Sequence, residues 1–232
     1  MDTSNLTLLN AAEHHQLKYQ QLNQYGFAAK EHAVPLLFKE IPKACHSFPI
    51  LFSLDGPALP YALLSLEKDK NPHVQDDGSW QGKYIPLFYR RYPFKLATQD
   101  GTKLSILIAP DAPQLHAPDG EALYIEEDGQ YRPSKALEEI KRGLSVYHET
   151  LVATKKLVTM LRDAGVLVAA SLTTQQTAAS EQQVLAGFAI VDPEKVNQLD
   201  SQTKTNWHKL GLNRIIGMHL NSIADWMPVN KP

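Results

Sequence analysis

Five of the twelve glycines follow an aspartate, at Asp55-Gly56, Asp77-Gly78, Asp100-Gly101, Asp119-Gly120 and Asp128-Gly129. Asp-Gly is turn chemistry: glycine accepts positive φ without steric cost, and aspartate bonds its own backbone. Short apolar runs lie between these turns: FPILFSL (48–54), YALLSL (61–66), KYIPLFY (83–89), YPFKLAT (92–98), KLSILIA (103–109) and ALYIEE (122–127). A chain punctuated this way folds as antiparallel β structure. The clearest hairpin is 92–109, turning at QDGT, and HAPDGE (116–121) reads as a loop.

The pattern then changes period. Leu137, Ile140, Leu144, Tyr147, Leu151, Val158 and Leu161 recur at steps of three and four, with Thr154 in the one gap. This predicts an amphipathic helix over about 134–163, ended by Gly165 and roughly 45 Å long at about 1.5 Å per residue. A seam of that length also suits a coiled coil. Flanking strands of the same domain favour a helix laid across a sheet. GVLVAASLTT (165–174) and VLAGFAIVD (184–192) predict a second hairpin around a polar linker. Asp192-Pro193 starts a short helix, Ser201 caps a second carrying Trp207 and Leu210, and Asn213 caps a third with the face Ile216, Leu220, Ile223 and Met227. Residues 11–22 have helical character, and Pro35 in AVPLLFKEI (33–41) marks an edge or a bend. The expectation is one α+β domain over 1–232: a mainly antiparallel sheet from about 33 to 127, one long amphipathic helix, a second hairpin and a helical C-terminus.

The net charge of -2 over 232 residues supplies no field for nucleic acid or an anionic membrane, and no run of four basic residues exists. No apolar run reaches the ~20 residues of a transmembrane helix, so no membrane insertion is expected. The N-terminal stretch lacks the basic and apolar regions of a secretory signal. With the single cysteine, Cys45, this predicts a cytoplasmic protein, its surface association requiring a signal-independent route.

The stretches YGFAAKEHAVPLLFKE (25–40), SFPILFSLDG (47–56), GSWQGKYIPLFYRRYPFKL (78–96), GLSVYHETLVATKKLVTMLRDAGVL (143–167), LAGFAIVDPEKVNQL (185–199) and GLNRIIGMHLNSIADW (211–226) resemble, in order, the bacterial SapC family. That family is named for a surface-layer-associated protein. The Trp80…Tyr84-Ile85-Pro86…Arg90-Arg91-Tyr92-Pro93-Phe94 portion is the most specific part. KEIPKACH (39–46) departs from the pattern, with Ile41-Pro42 where an aromatic residue is expected. The resemblance implies surface-layer association and serum resistance without a defined activity. It also implies genes neighbouring outer-membrane receptors and oxygenase- or halogenase-like enzymes. A peptide-transport permease of the same name is excluded by the absence of transmembrane segments.

Motif-based chemistry is absent: no phosphate loop, no Gly-x-Gly-x-x-Gly, no Gly-x-Ser-x-Gly and no His-Glu-x-x-His. Cys45-His46 are sequence neighbours, which on a strand face opposite ways, so they predict no dyad. His73-x-x-Asp76 and His116-x-x-Asp119 sit in loops rich in Pro, Asp and Gly, and no metal or cofactor is expected there. His219 lies beside the apolar face of the last helix and reads as a satisfied, partly buried histidine.

YIPLFYRRYPF (84–94) packs five aromatics, two arginines and two prolines into eleven residues. Extended past Pro86, it sets Tyr84 and Phe88 on one face. Two readings stay open and are compatible. In one, Phe88, Tyr92 and Phe94 fill a core while an arginine fixes a bend. In the other, Trp80, Tyr84, Arg90, Arg91 and Tyr92, with His32 and Glu40, line a recognition groove. The leading expectation is therefore a non-catalytic binding or accessory protein with a protein, peptide or saccharide partner, a neighbouring modifying enzyme or surface component among them. The alternatives are a modifying enzyme with a scattered site at His32, Glu40, Tyr84, Arg91 and His219, and a structural surface-layer component. No catalytic residue is assigned.

Overall fold

The computed structural model describes residues 5–99, 103–174, 183–224 and 229–230. In chain order the elements begin with β1 (Thr7–Leu8), α1 (Ala11–His14), β2 (Lys18–Tyr19), β3 (Ala33–Pro35), α2 (Ile41–Ala44), β4 (Ile50–Ser53) and β5 (Pro60–Leu63). There follow α3 (Leu87–Arg90), β6 (Phe94–Gln99), β7 (Lys103–Ile108), β8 (Glu121–Ala122), β9 (Tyr124–Glu127), β10 (Gln130–Pro133) and α4 (Lys135–Asp163). The last are β11 (Leu167–Thr174), β12 (Gln183–Val191), α5 (Pro193–Gln198), α6 (Ser201–Lys209), α7 (Leu212–Ala224) and β13 (Val229–Asn230). All named strand pairs are antiparallel, as the Asp-Gly spacing predicts.

The chain divides into two compact units. The first comprises residues up to Ala29, Val74–Gln81 and Phe88–Glu149. The second comprises Lys30–His73, Gly82–Leu87 and the chain from Thr150 onward. The first half of α4 belongs to the first unit and its second half to the second.

In the first unit, β6 and β7 form the expected hairpin, joined on the far side of β7 by β1. The turn residues of that hairpin lie outside the described residues. Leu137, Ile140 and Leu144 of α4 pack with Phe94, Ile108, Leu115 and Leu123 into one core. The apolar stripe of the helix's first half is thus spent on the core of its own unit. A second hairpin, β9 to β10, turns on Asp128 at φ 53° and Gly129 at φ 74°. Both are left-handed, as a two-residue turn between twisted strands requires. Ser134 caps α4, its Oγ accepting the Leu137 N–H at 3.2 Å.

The second unit is built on a six-stranded sheet in the order β13-β11-β12-β4-β5-β3. Here the structure corrects the expectation of one sheet over 33–127. The strands at 50–63 pair with the later hairpin at 167–191, while the strands at 94–108 belong to another sheet. Alternating apolarity marks a strand but not its partner. β3, with Pro35, lies at the sheet edge, where a missing N–H is tolerated. The tip of the β11–β12 hairpin falls outside the described residues.

Leu51, Leu63, Phe188 and Ile190 on one sheet face pack against Leu220 and Ile223 of α7. Burying each such side chain is worth about 2 kcal/mol. Met227 of the predicted face lies outside the described residues. α4 ends as expected at Gly165, φ 68°, whose N–H donates to Arg162 while Val166 donates back to Leu161. Thr154, the polar gap in the helical stripe, is 1% exposed. Its Oγ1 accepts the Phe38 N–H at 3.1 Å and donates to the Thr150 carbonyl at 2.7 Å. An apolar residue there would strand that amide.

Three local expectations change. Only Ala11–His14 of 11–22 is helical. α6 is capped by Asp200 rather than Ser201, the Asp200 carboxylate accepting the N–H groups of Gln202 and Thr203. α7 begins at Leu212, ahead of the cap expected at Asn213. Among the described residues no helix is long and apolar enough to cross a membrane.

Candidate functional site

The segment after Pro86 is not extended. Leu87–Arg90 makes one helical turn, so Phe88 and Arg91, three residues apart, come to one side. Within the first unit the Arg91 guanidinium carbon lies 4.6 Å from the centre of the Phe88 ring and 5.0 Å from that of Tyr147, on α4. Both distances are within cation–π range. The Arg91 Nε is sealed from solvent and has no hydrogen-bond partner among the described residues. Burial lowers the Arg91 pKa, and the Tyr147 phenol acts the other way. Arginine stays protonated regardless.

Arg90 points outward and is exposed. Tyr92 is half-buried and stacks on Phe27 with ring centres 3.9 Å apart. Burial, then the nearby Asp111 carboxylate, raise the Tyr92 phenol pKa. Trp80 does not line a groove: it is 6% exposed and packs against Tyr25 and Tyr89. Tyr25, Phe27, Trp80 and Tyr89 close a ring of mutual contacts, with Tyr89 1% exposed. Of the three residues the core reading named, Phe94 is 2% exposed, while Phe88 and Tyr92 are half-buried. Trp80 and Tyr89 are core, whereas Arg90, Arg91 and Tyr92 reach the surface.

The second unit holds the other candidates. Glu40 is 2% exposed. Its Oε1 accepts the Tyr84 hydroxyl at 2.9 Å and the Leu87 N–H at 2.7 Å, and its Oε2 accepts the Leu37 N–H at 2.9 Å. A buried carboxylate with three donors is a structural clamp: it closes the turn at 38–40 and fixes the 84–87 segment. Tyr84 therefore turns toward Glu40, not along a face with Phe88. His32 contributes its backbone carbonyl, which accepts the N–H groups of Leu64 and Ser65. Its ring makes no hydrogen bond among the described residues.

His219 is fully buried. Its Nε2 accepts the Val191 N–H at 3.0 Å, so the proton sits on Nδ1, which donates to the Ile50 carbonyl at 2.7 Å. Burial pushes its pKa down to about 4. An imidazole used at both nitrogens is not available for proton transfer. Cys45 is likewise quiet: its Sγ lies 3.7 Å from the Pro42 carbonyl, and burial pushes the thiol up. His46 is exposed. His116 donates through Nε2 to the Pro110 carbonyl at 2.7 Å, and His73 packs edge-on against Phe48. Among the described residues no cluster of three or more His, Cys, Asp or Glu is placed to hold a metal ion.

Sequence reasoning missed Tyr147 as a neighbour of Arg91. Its spacing assigned it to the apolar stripe of α4. A tyrosine in a stripe otherwise of leucine, isoleucine and valine was the available signal.

No curated protein and no solved structure matches the chain. The family model for SapC matches residues 9–228, nearly the whole chain, and the protein belongs to the SapC family.

Proposed function

We propose that this chain is a non-catalytic binding or accessory protein, recognising a protein, peptide or saccharide partner through the surface part of residues 80–94. The observation that carries the reading is Arg91. It is a charged, hydrogen-bonding side chain held against two aromatic rings, with no ion-pair partner among the described residues. Arginine and aromatic side chains in contact are what recognition surfaces favour, because the guanidinium fork is rigid and the rings exclude water. Arg90 and Tyr92 flank it in sequence and reach the surface. The scattered-site enzyme reading loses support, since Glu40 and His219 spend their polar atoms on backbone and on Tyr84. A cytoplasmic location goes with the proposal, supported by Cys45, a thiol without a disulfide.

The test is affinity capture from an extract of the protein's own cells. Wild type is compared with an Arg90→Ala/Arg91→Lys variant whose circular dichroism and melting match it. A partner retained by wild type and lost by the variant supports the surface. Identical captures on both, or none on either, remove it.

A further inference from the structure

Arg91 is a partly buried cation without a counterion among the described residues. The Phe88 and Tyr147 rings attract it, but a ring quadrupole does not neutralise a charge. Its Nε is enclosed and lacks an acceptor. The two terminal nitrogens are not enclosed in this way, and the residue as a whole keeps partial exposure. Desolvating a cation is costly unless an anion meets it.

Taking residues 80–94 as a recognition surface, we propose that Arg91 is the receptor for a ligand carboxylate. The carboxylate is held end-on by the two terminal nitrogens, with the rings of Phe88 and Tyr147 beside it. A planar monoanion matches a single guanidinium fork in both shape and charge. A phosphate dianion calls for a second cation or a set of backbone N–H groups. Arg90 is the nearest basic residue in sequence, and its charge reaches Tyr25, whose phenol pKa it lowers against the larger effect of burial. Asp111, which acts on Tyr92, adds negative potential rather than positive. The carboxylate belongs either to a small organic acid or to a peptide C-terminus.

The full chain is titrated with benzoate, benzamide, N-acetylphenylalanine and inorganic phosphate, following arginine Nε–Hε NMR signals. Arg91 is identified by the signal missing from Arg91→Lys. Tyr147→Leu, which keeps the guanidinium and removes one ring, provides the assignment if Arg91→Lys does not fold. Benzoate and N-acetylphenylalanine are expected to move the Arg91 signal saturably, and benzamide to leave it in place. Phosphate binds about tenfold or more weakly than either acid, and Arg91→Lys weakens both acids by about tenfold or more. Tighter binding of N-acetylphenylalanine assigns a peptide terminus, and tighter binding of benzoate a small acid. No shift with either acid, an equal shift with benzamide, or tighter binding of phosphate overturns the inference. Failure here with partner capture still lost in Arg90→Ala/Arg91→Lys overturns the carboxylate alone. Capture unchanged by that variant overturns the surface itself.

Discussion

Val191 and Ile50 are joined through an imidazole rather than to each other. The register of β12 on β4, Phe188↔Ser53 and Ala189↔Phe52, continued by two residues, sets Val191 opposite Ile50. His219 stands in that place, accepting from the Val191 N–H and donating to the Ile50 carbonyl. Ser222, three residues on, accepts the Ile50 N–H at 3.0 Å and donates to the His219 carbonyl at 2.7 Å. One turn of α7 thus carries the ladder bonds that the two strands do not make directly.

This arrangement makes stability depend on pH. His219 titrates near 6.5 when unfolded and at about 4 when folded. The unfolded chain therefore takes up a proton that the folded one refuses. The contribution is complete above pH 6.5 and is lost as pH falls toward 4, amounting to about 3 kcal/mol. Urea melts of wild type should show this loss, and His219→Leu should remove most of the slope while lowering stability at pH 7 by about 3 kcal/mol. A variant with the same slope as wild type assigns it to other groups.

Glu40 and Tyr84 form the second testable pair. Tyr84→Phe removes a hydrogen bond to a buried carboxylate and should cost about 1.5–3 kcal/mol. Glu40→Ala strands two backbone N–H groups as well and should cost more. In a double-mutant cycle the two should couple by about 1–3 kcal/mol, whereas additive losses would mean that the hydroxyl contributes nothing through the carboxylate.

Thr154→Val keeps the shape of the side chain and deletes the acceptor of the Phe38 N–H. Chemical denaturation should show a loss of about 1–3 kcal/mol. Thr154→Ser retains the oxygen and should stay within about 1 kcal/mol of wild type. Equal losses in both variants would assign the site to methyl packing.

For Arg91, a structural role and a ligand-binding role predict different stabilities. Arg91→Met fills similar volume, removes a desolvated charge and surrenders two ring contacts. These effects nearly cancel, so unliganded stability should remain within about 1 kcal/mol of wild type. A larger drop in the melting midpoint would make Arg91 a packing residue.

Much of the fold was legible because local chemistry wrote it. The Asp-Gly turn at 128–129, the α4 stripe and its Gly165 stop, and the Asp192-Pro193 start each depend on neighbours in the chain, and each stands as read. The cap of α6 moved by one residue, to Asp200, because Asp200 and Ser201 are both competent caps and only the backbone chooses between them. The helical turn at Leu87–Arg90 departs from the extended course on which Tyr84 and Phe88 would share a face, because a run of aromatics between two prolines resembles an edge strand in composition.

For the site, residue type pointed to Arg91, and the 84–94 composition marked the segment around it. Nothing in the sequence places Tyr147 beside that guanidinium, sends Tyr84 to Glu40, or inserts His219 between two strands. Those contacts join residues tens of positions apart and follow from which strands pair and which helix faces meet. By itself the sequence determined the elements, their turns and the family pattern, since these rest on backbone preference and local periodicity. Only the tertiary structure decided which polar groups are spent and which remain to bind, because a buried donor or acceptor is satisfied by whatever the fold brings to it.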